Sequence, residues 1–317
     1  MFERGIIPLP EGSMAKYAVA DIGTNSVRLM LADETLCPVE KRLITTRIGE
    51  KLSETGALSE AGMARTLNAL CGYADAAAEF GAPLWAFATS AVRDANNGLE
   101  FLRRAMAVGI PIEVISGETE AELAYLGVGA LERATLIDIG GGSIEVAQGE
   151  GGRLHAAFSA PVGCVRALER FGAYADEKAL SALSEWLLAE RVSGGRLSMG
   201  EALSSLKPAG RAYAVSGTAT SIASLFVGAT GAYCAPAIQG RIVTGEDVRA
   251  VLDRLKKMTV AQRCAIPVLG ERGDLIILGG VLLLTCMGAL DAGEIVISDA
   301  DNLEGYLRYR LKKKDSV

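Results

Sequence analysis

A six-residue turn occurs twice in this chain, and each copy lies between two short runs with the residue pattern of β-strands. The first copy reads Asp-Ile-Gly-Thr-Asn-Ser at 21–26, and the second reads Asp-Ile-Gly-Gly-Gly-Ser at 138–143. An apolar run at 17–20 precedes the first copy and a second run at 27–31 follows it, which predicts a strand, a tight turn and a strand. Because both copies share this layout, the sequence predicts two lobes built around the same hairpin.

The segments between and after these hairpins alternate between helical and strand-like patterns. Ser59 begins a helical stretch that ends at Gly81, and Leu84–Ala88 follows as a strand. The same alternation continues to residue 115 and returns in the second half of the chain. It predicts an α/β fold in which helices pack on a largely parallel sheet. With 317 residues, the chain is long enough for two such domains.

Composition excludes several classes of site and of location. The chain has one histidine, and its six cysteines form no Cys-x-x-Cys pair, which disfavours a zinc module or a Ser-His-Asp triad. We interpret the cysteines as reduced core residues, and the net charge of −6 as evidence against DNA binding.

The apolar run Leu275–Leu290 is too short to span a bilayer and is predicted to be a buried helix. Residues 1–13 lack a signal-peptide pattern and are interpreted as an extension, so we expect a cytoplasmic protein without a membrane partner.

The two turns place glycine and hydroxyl side chains at the end of a strand, where backbone N–H groups can converge on an anion. The residues predicted to hold phosphate are Gly23, Asn25, Ser26, Gly141, Gly142 and Ser143. A third turn with the same character is Ser216-Gly217-Thr218. Neither a complete G-x-G-x-x-G motif at these turns nor a Walker motif occurs, which disfavours a Rossmann or P-loop site.

Acidic side chains stand beside these turns. Asp21 and Asp138 open the two copies, where a carboxylate either suits a hard cation such as Mg²⁺ or bonds its own turn backbone. The first turn of a predicted helix after residue 115 carries three glutamates: Glu118, Glu120 and Glu122. They either complement the helix dipole or supply a base that takes a proton from water. Arg93 follows another strand and could clamp a phosphoryl group or pair with Asp94.

Taken together, these stretches resemble the Ppx/GppA family of exopolyphosphatases and guanosine pentaphosphatases. The family belongs to the superfamily of actin-like ATPases, sugar kinases and Hsp70 proteins. The matching stretches follow the family's order and are 21–29, 55–59, 88–95, 114–118, 137–145, 162–166, 216–218 and 272–274. Because they extend from about Tyr17 to Arg310, the resemblance is far more specific than either turn alone.

The resemblance implies two ribonuclease H-like α/β domains with the active site in the cleft between them. The first domain is expected to cover 14–128 and the second 129–299, with a C-terminal helix at 300–317 that packs back on the first domain. The implied reaction is removal of a terminal phosphate by water, with Mg²⁺ as cofactor and polyphosphate or guanosine pentaphosphate as substrate.

Matching family positions give individual residues their expected roles. Glu120 is similar to the catalytic glutamate that orients and deprotonates the attacking water. Asp138 and Glu145 match the metal and water site, and Asp21 stands where the first-domain acid falls. The expected phosphoryl ligands are Asn25, Ser26, Arg93, Gly141, Gly142 and Ser143. Such a set of amides, arginine and Mg²⁺ with one base is sufficient for phosphoryl transfer without histidine.

The chain departs from the family pattern at three positions. Thr119 and Glu122 stand where Glu and Arg are common, and Leu303 stands where an Arg usually precedes Glu304-Gly305. With those arginines lost, we expect short or medium polyphosphate rather than long chains. The remaining basic candidates for a polyanion track are Lys41, Arg42, Arg47, Lys51, Lys207 and Arg211.

The leading hypothesis is therefore a Mg²⁺-dependent exopolyphosphatase. A guanosine pentaphosphate 5′-phosphohydrolase would use the same residues, and a regulator that binds (p)ppGpp or another nucleotide with weak catalysis is a further alternative. A kinase that uses ATP is suggested by fold analogy alone. The high apolar content is compatible with a homodimer, although no stretch of sequence identifies an interface.

Overall fold

A computed structural model of the chain describes residues 15–314 apart from 131, 174–175, 208–209, 230 and 232. It contains two β-sheets, each packed against helices. The predicted N-terminal extension, 1–13, lies outside the described residues, as do the last positions of the predicted C-terminal helix, 315–317.

The first sheet has five strands in the order β3-β2-β1-β4-β5. Its strands are β1 (Tyr17–Ile22), β2 (Ser26–Ala32), β3 (Pro38–Thr45), β4 (Leu84–Ala88) and β5 (Ile112–Val114). The first three are antiparallel neighbours, whereas β4 runs parallel to β1 and β5 parallel to β4. β1 is almost fully buried, while β3 is an exposed edge whose charged side chains are typical of a strand that pairs no further.

The second sheet has six strands in the order β10-β11-β9-β6-β7-β8. Its strands are β6 (Ala134–Ile139), β7 (Ile144–Glu150), β8 (Arg153–Ala160), β9 (Arg211–Val215), β10 (Ile242–Thr244) and β11 (Glu294–Ile297). Read from β8 to β11, this sheet repeats the order of the first, and β10 is added as an antiparallel edge. The repeated order is that of a ribonuclease H-like domain. It confirms the predicted α/β fold of two such domains.

Helices fill the connections between the strands. Those up to residue 128 are α1 (Leu52–Thr55), α2 (Glu60–Phe80), α3 (Ser90–Asp94), α4 (Gly98–Ala107) and α5 (Gly117–Val128). Those between β8 and β11 are α6 (Cys164–Phe171), α7 (Glu177–Ala189), α8 (Met199–Ser205), α9 (Ser216–Phe226), α10 (Ala235–Ile238), α11 (Gly245–Lys256), α12 (Val260–Cys264), a 3₁₀ helix (Gly270–Asp274) and α13 (Ile276–Leu290). The last helix is α14 (Asn302–Lys314).

Local signals set the ends of α2. The Ser59 hydroxyl accepts a hydrogen bond from the Gly62 N–H at 3.0 Å, which satisfies one free donor of the first turn. Gly81 ends the helix with a φ of 82°, a left-handed conformation that favours glycine. Both predicted ends of this helix are confirmed, as is the strand at Leu84–Ala88.

The apolar run near residue 280 forms the centre of the second domain's core. Most side chains of α13 are buried, and the helix packs against α7, α9 and α11. This confirms the prediction of a buried helix at Leu275–Leu290. In the part of the chain that the structure describes, no helix combines the length and the apolar character needed to cross a membrane.

The terminal helix α14 packs on the first sheet and crosses α5. The Tyr306 ring stacks on Phe87 of β4 with 4.5 Å between ring centres. A methyl group on Gly305 would lie 1.8 Å from the Leu123 carbonyl oxygen, and one on Gly127 would lie 2.0 Å from the Asp301 carbonyl oxygen. Glycine at both crossing points thus lets the two backbones touch. The exact boundaries of the two domains stay a prediction.

Three details differ from the sequence-based expectations. The sheets are mixed rather than largely parallel, because the strands of each meander run antiparallel. Each predicted hairpin is the first part of a three-stranded antiparallel meander, because β3 and β8 continue it. β3 was missed because it buries little and therefore lacks the apolar alternation of a covered strand. All six cysteines are free, but Cys37 and Cys234 are exposed, so their interpretation as core residues is wrong. Both lie in loops, where the chain buries little surface.

Candidate active site

The two repeated turns face each other across a narrow cleft between the domains. A methyl group on Gly142 would lie 2.4 Å from the Ser90 hydroxyl oxygen and 2.6 Å from that of Thr24. The Thr24 and Ser90 hydroxyls are themselves 2.9 Å apart. Glycine is therefore required at this contact between the two domains. All six predicted phosphate-binding residues line the cleft: Gly23, Asn25, Ser26, Gly141, Gly142 and Ser143.

Both turns are closed by the same hydrogen bond. The Gly23 N–H donates to the Ser26 carbonyl and the Gly140 N–H to the Ser143 carbonyl, each at 3.0 Å. Among the described residues, the N–H groups of Gly141 and Gly142 have no backbone acceptor. Such free N–H groups at a glycine turn can bind an anion.

The residue that pairs with the acid of each hairpin differs in charge between the two hairpins. In the first hairpin Asp21 pairs with Arg28, whereas in the second Asp138 pairs with Glu145. Asp21 Oδ2 accepts hydrogen bonds from Arg28 Nη2 at 2.5 Å and Nε at 3.1 Å, and Asp301 also pairs with this guanidinium. The Asp21 carboxylate is therefore largely neutralised, while the carboxylate of Asp138 has a second acid beside it.

The two acids of the second hairpin differ in their access to the cleft. Asp138 lies on the cleft wall, and its Oδ1 has no hydrogen-bond partner. Glu145 is fully buried behind the turn and is not among the cleft-lining residues. Its Oε1 accepts a hydrogen bond from the Ser159 hydroxyl at 2.7 Å, while Oε2 has no partner. Asp138 is thus the acid of this pair that a substrate can reach directly.

Glu120 reaches the cleft from the first turn of α5. The Ser116 hydroxyl caps this helix by accepting from the Thr119 N–H at 3.2 Å. The Glu120 side chain is buried, with the residue 7% exposed, and its Oε2 has no hydrogen-bond partner. Arg93 lies nearby, with 3.6 Å between its Nη1 and Glu120 Oε2. Of the three glutamates of this turn, only Glu120 lines the cleft.

Arg93 contacts three acceptors in the structure. It donates to the Ile115 carbonyl at 3.0 Å and to Asp94 Oδ1 at 3.3 Å, and it faces Glu120. The arginine is therefore held beside the glutamate rather than on the cleft wall. Its predicted contact with a phosphoryl group stays a prediction.

Burial and mutual repulsion raise the pKa values of the cleft carboxyls. Burial, and after it the charge of Asp301, raises the pKa of Asp138 to about 7. Burial and Asp138 raise the pKa of Glu145 to about 8. Burial, Glu145 and Asp138 raise the pKa of Glu120 well above its ordinary range, against the opposing charge of Arg93. At neutral pH the cluster therefore retains protons that a bound cation would displace.

The chemistry of these donors fits a divalent cation. In this acidic cluster, four buried carboxylate oxygens lack a hydrogen-bond partner: Asp21 Oδ1, Glu120 Oε2, Asp138 Oδ1 and Glu145 Oε2. Buried charge of this kind is unfavourable unless it is paired, and Mg²⁺ prefers oxygen ligands. Within the described residues, no three Asp, Glu, His or Cys side chains converge on a complete metal site. One or two carboxylates would therefore share the ion with water and phosphate oxygens, as is usual for Mg²⁺.

Arg272 is a cleft residue to which sequence reasoning gave no role. Its guanidinium lies so close to Gly217 that a methyl group there would be 2.4 Å from Nη1. No acid in the described part of the chain pairs with it, and burial together with Arg28 lowers its pKa. A partly buried arginine without an acidic partner suits a phosphoryl group. The only signal in the sequence was its place in the matching stretch 272–274.

The third glycine turn leads from a strand directly into a helix. Ser216 follows β9 and is the first residue of α9. Ser216 has a φ of 64°, and Val215 before it is extended. Ser216, Gly217 and Thr218 all line the cleft. The segment therefore contributes to the site, but with helical geometry.

Three residues of the predicted basic track already pair with acids. Lys41 Nζ pairs with Asp299 at 2.9 Å and with Glu304 at 2.6 Å. Arg42 pairs with Glu40, and Arg47 crosses to Asp274 of the second domain at 3.0 Å. Lys207 and Arg211 lie in a separate pocket beside 290–294. A polyanion track along these residues stays a prediction.

Comparisons with known proteins identify the family to which the chain is similar. The model of the Ppx/GppA phosphatase family matches residues 30–314. The chain is 33% identical over 317 residues to exopolyphosphatase 2 of Mycobacterium tuberculosis, covering 92% of this chain and 98% of the relative. It is 29% identical over 320 residues to exopolyphosphatase 1 of Mycobacterium bovis, covering 95% and 89%.

Solved structures show the same fold. The crystal structure of the Aquifex aeolicus member of the Ppx/GppA family superposes with a TM-score of 0.77 at 28% identity, covering 95% of this chain and 99% of that one. The crystal structure of an exopolyphosphatase from Cytophaga hutchinsonii gives a TM-score of 0.84 at 23% identity, covering 94% and 98%. Because the family model matches most of the chain and a relative at 33% identity aligns over nearly its whole length, this chain belongs to the Ppx/GppA phosphatase family and is a phosphatase.

Proposed function

We propose that this protein is a Mg²⁺-dependent exopolyphosphatase that releases orthophosphate from the ends of short or medium polyphosphate. The observation that carries the proposal is Glu120, a buried carboxylate in the cleft between the two turns whose Oε2 has no hydrogen-bond partner. The two curated relatives named above are exopolyphosphatases, which supports polyphosphate as the substrate.

The terminal phosphoryl group would sit between the two turns. The N–H groups of Gly141 and Gly142 and the guanidinium of Arg272 would donate to its oxygens. Glu120 Oε2 would take a proton from a water that attacks the terminal phosphorus. The bond from that phosphorus to the bridging oxygen then breaks, and the bridging oxygen leaves with the shortened chain.

The base must be ionised to act, although the surrounding acids favour its protonated form. Asp138, with Asp21 beside it, would hold the Mg²⁺ ion, which when bound neutralises negative charge on the carboxylates and on the phosphate. Arg93 adds a positive charge 3.6 Å from Glu120. Both effects lower the pKa of Glu120 and so make it a better proton acceptor at neutral pH.

The lining of the cavity supports a phosphate chain end as the group that enters. Glycine, serine and threonine residues of the turns form much of the wall of this cavity of about 110 Å³. Such a wall offers N–H and O–H donors to phosphate oxygens. Lys41, Arg42 and Arg47 are paired with acids in the structure, which favours short or medium chains over long ones.

The test is orthophosphate release by the purified protein with Mg²⁺ on polyphosphate of two lengths, guanosine pentaphosphate and ATP. Glu120→Gln removes the base and is expected to abolish release. Glu118→Gln is the matched control, because Glu118 lies in the same helical turn but is exposed and does not line the cleft. It is expected to keep wild-type activity.

Each outcome separates the candidates. Release from polyphosphate that is lost in Glu120→Gln and kept in Glu118→Gln supports the proposal. Faster release from guanosine pentaphosphate than from either polyphosphate would assign the pentaphosphatase instead. Wild-type activity in Glu120→Gln would refute the role of the base. Nucleotide binding without any release would favour a regulator.

A further inference from the structure

Asn302 is a cleft residue from the terminal helix that neither the repeated turns nor the proposed chemistry uses. It is the first residue of α14, is 3% exposed and lines the cleft. Its Nδ2 donates to Asp138 Oδ2 at 3.4 Å. Its Oδ1 is buried and has no hydrogen-bond partner. One end of this amide is therefore bound to the key acid, while the other end is free.

The backbone around Asn302 is firmly held. The Leu303 N–H donates to Asp301 Oδ1 at 3.1 Å, and the Asp301 N–H donates to Glu304 Oε2 at 3.0 Å. Asp301 also pairs with Arg28 of the first sheet. Because these contacts fix the start of α14, a helix packed on the first sheet presents Asn302 to Asp138 of the second sheet.

The free oxygen restricts what can bind it. Asn302 Oδ1 accepts hydrogen bonds or coordinates cations, but it cannot donate. The oxygens of an ionised terminal phosphate are also acceptors, so they gain nothing from it. A buried amide oxygen without a partner is unfavourable unless a donor or a cation reaches it. Asp138 Oδ1 is a second unpartnered acceptor on the neighbouring side chain. The two side chains are joined by the Nδ2–Oδ2 hydrogen bond, and their free carboxylate and amide oxygens are both of the kind that a hard cation prefers.

We propose that Asn302 is a further residue of the cation site, with Oδ1 supplying a neutral oxygen beside Asp138 while Nδ2 holds the Asp138 carboxylate in orientation. The inference rests on the proposed function, because the cation is the Mg²⁺ of that site. It also gives the terminal helix a functional role. The helix supplies an amide oxygen to a site whose acids, Asp21 and Asp138, lie on strands of the two sheets.

The test measures cation binding without substrate. Free Mn²⁺ is followed by electron paramagnetic resonance as it is titrated with metal-free protein. Asn302→Leu removes both the oxygen and the amide donor, and we expect the Mn²⁺ affinity to fall by about tenfold or more. Asn302→Asp puts a carboxylate at the same position, and we expect tighter binding and a larger rise of the melting temperature on addition of Mg²⁺.

The control is Asn96→Leu, an asparagine that is exposed and does not line the cleft, which should bind Mn²⁺ like the wild type. Wild-type affinity in a folded Asn302→Leu protein would overturn the inference while leaving the proposed function intact. Asn302→Asp decides the matter if the leucine variant does not fold, since affinity at or below that of the wild type would then refute the role of the oxygen. A wild-type protein that binds no Mn²⁺ would overturn both proposals.

Discussion

The buried carboxyls make the stability of the metal-free protein depend on pH with an unusual sign. Most paired carboxylates lose their stabilising effect as pH falls, but Asp138 and Glu145 have pKa values raised to about 7 and about 8. The folded state therefore holds protons that the unfolded state has already released above pH 5. Stability then decreases as pH rises through the folded-state pKa. We expect the free energy of unfolding to fall between pH 5 and pH 8.

The size of this fall follows from the two pKa values. Asp138 changes from an ordinary pKa of 3.8 when unfolded to about 7 when folded, which corresponds to a loss of about 3 kcal/mol between pH 5 and pH 8. Glu145 adds a loss of the same sign. The pKa values of some carboxylates, such as Glu50 and Glu201, are lowered in the folded state. These groups change protonation below about pH 4.5, so they do not alter the stability between pH 5 and pH 8.

Urea unfolding in a metal chelator at pH 5, 6, 7 and 8 measures the effect. Asp138→Asn removes one of the titrating groups and should reduce the fall by about 3 kcal/mol. Saturating Mg²⁺ should also reduce it, because the ion stabilises the ionised carboxylates of the folded state. Stability that stays constant or rises from pH 5 to pH 8 in the metal-free wild type would refute the reasoning.

Two further substitutions test the geometry of the cleft. Gly142→Ala places a methyl group against the Ser90 and Thr24 hydroxyls. Steady-state kinetics should show phosphate release reduced on the order of 100-fold. Urea unfolding should show a free energy of unfolding lower by ~1–3 kcal/mol. A variant as active as the wild type would show that the domains need not approach this closely. Arg272→Gln should lower kcat/KM for polyphosphate by about 10- to 100-fold, the value of a charged hydrogen bond of about 1.5–3 kcal/mol. An unchanged kcat/KM would exclude Arg272 from phosphate binding.

Several elements of the fold could be predicted because their signals are local. Ser59 and Gly81 mark the ends of α2 by hydrogen bonding and by a positive φ, which depend on the residue itself. The apolar run of α13 could only be buried, and the repeated turn predicted two similar domains. The edge strand β3 was missed because its exposed side chains carry no burial pattern.

The candidate site divides in the same way. The turns and the acids beside them could be predicted because contiguous residues form each motif, and the resemblance to the family distinguished Glu120 among three glutamates. Which charges are already matched and which groups face the cleft could be seen only in the folded chain. Arg28 is neutralised by Asp21 and Asp301, whereas Arg272 has no acidic partner among the described residues. Asn302 meets Asp138 across 164 positions of chain. Such pairings arise from the packing of α14 against α5 and the first sheet, and distant packing leaves no periodic or local pattern in the sequence.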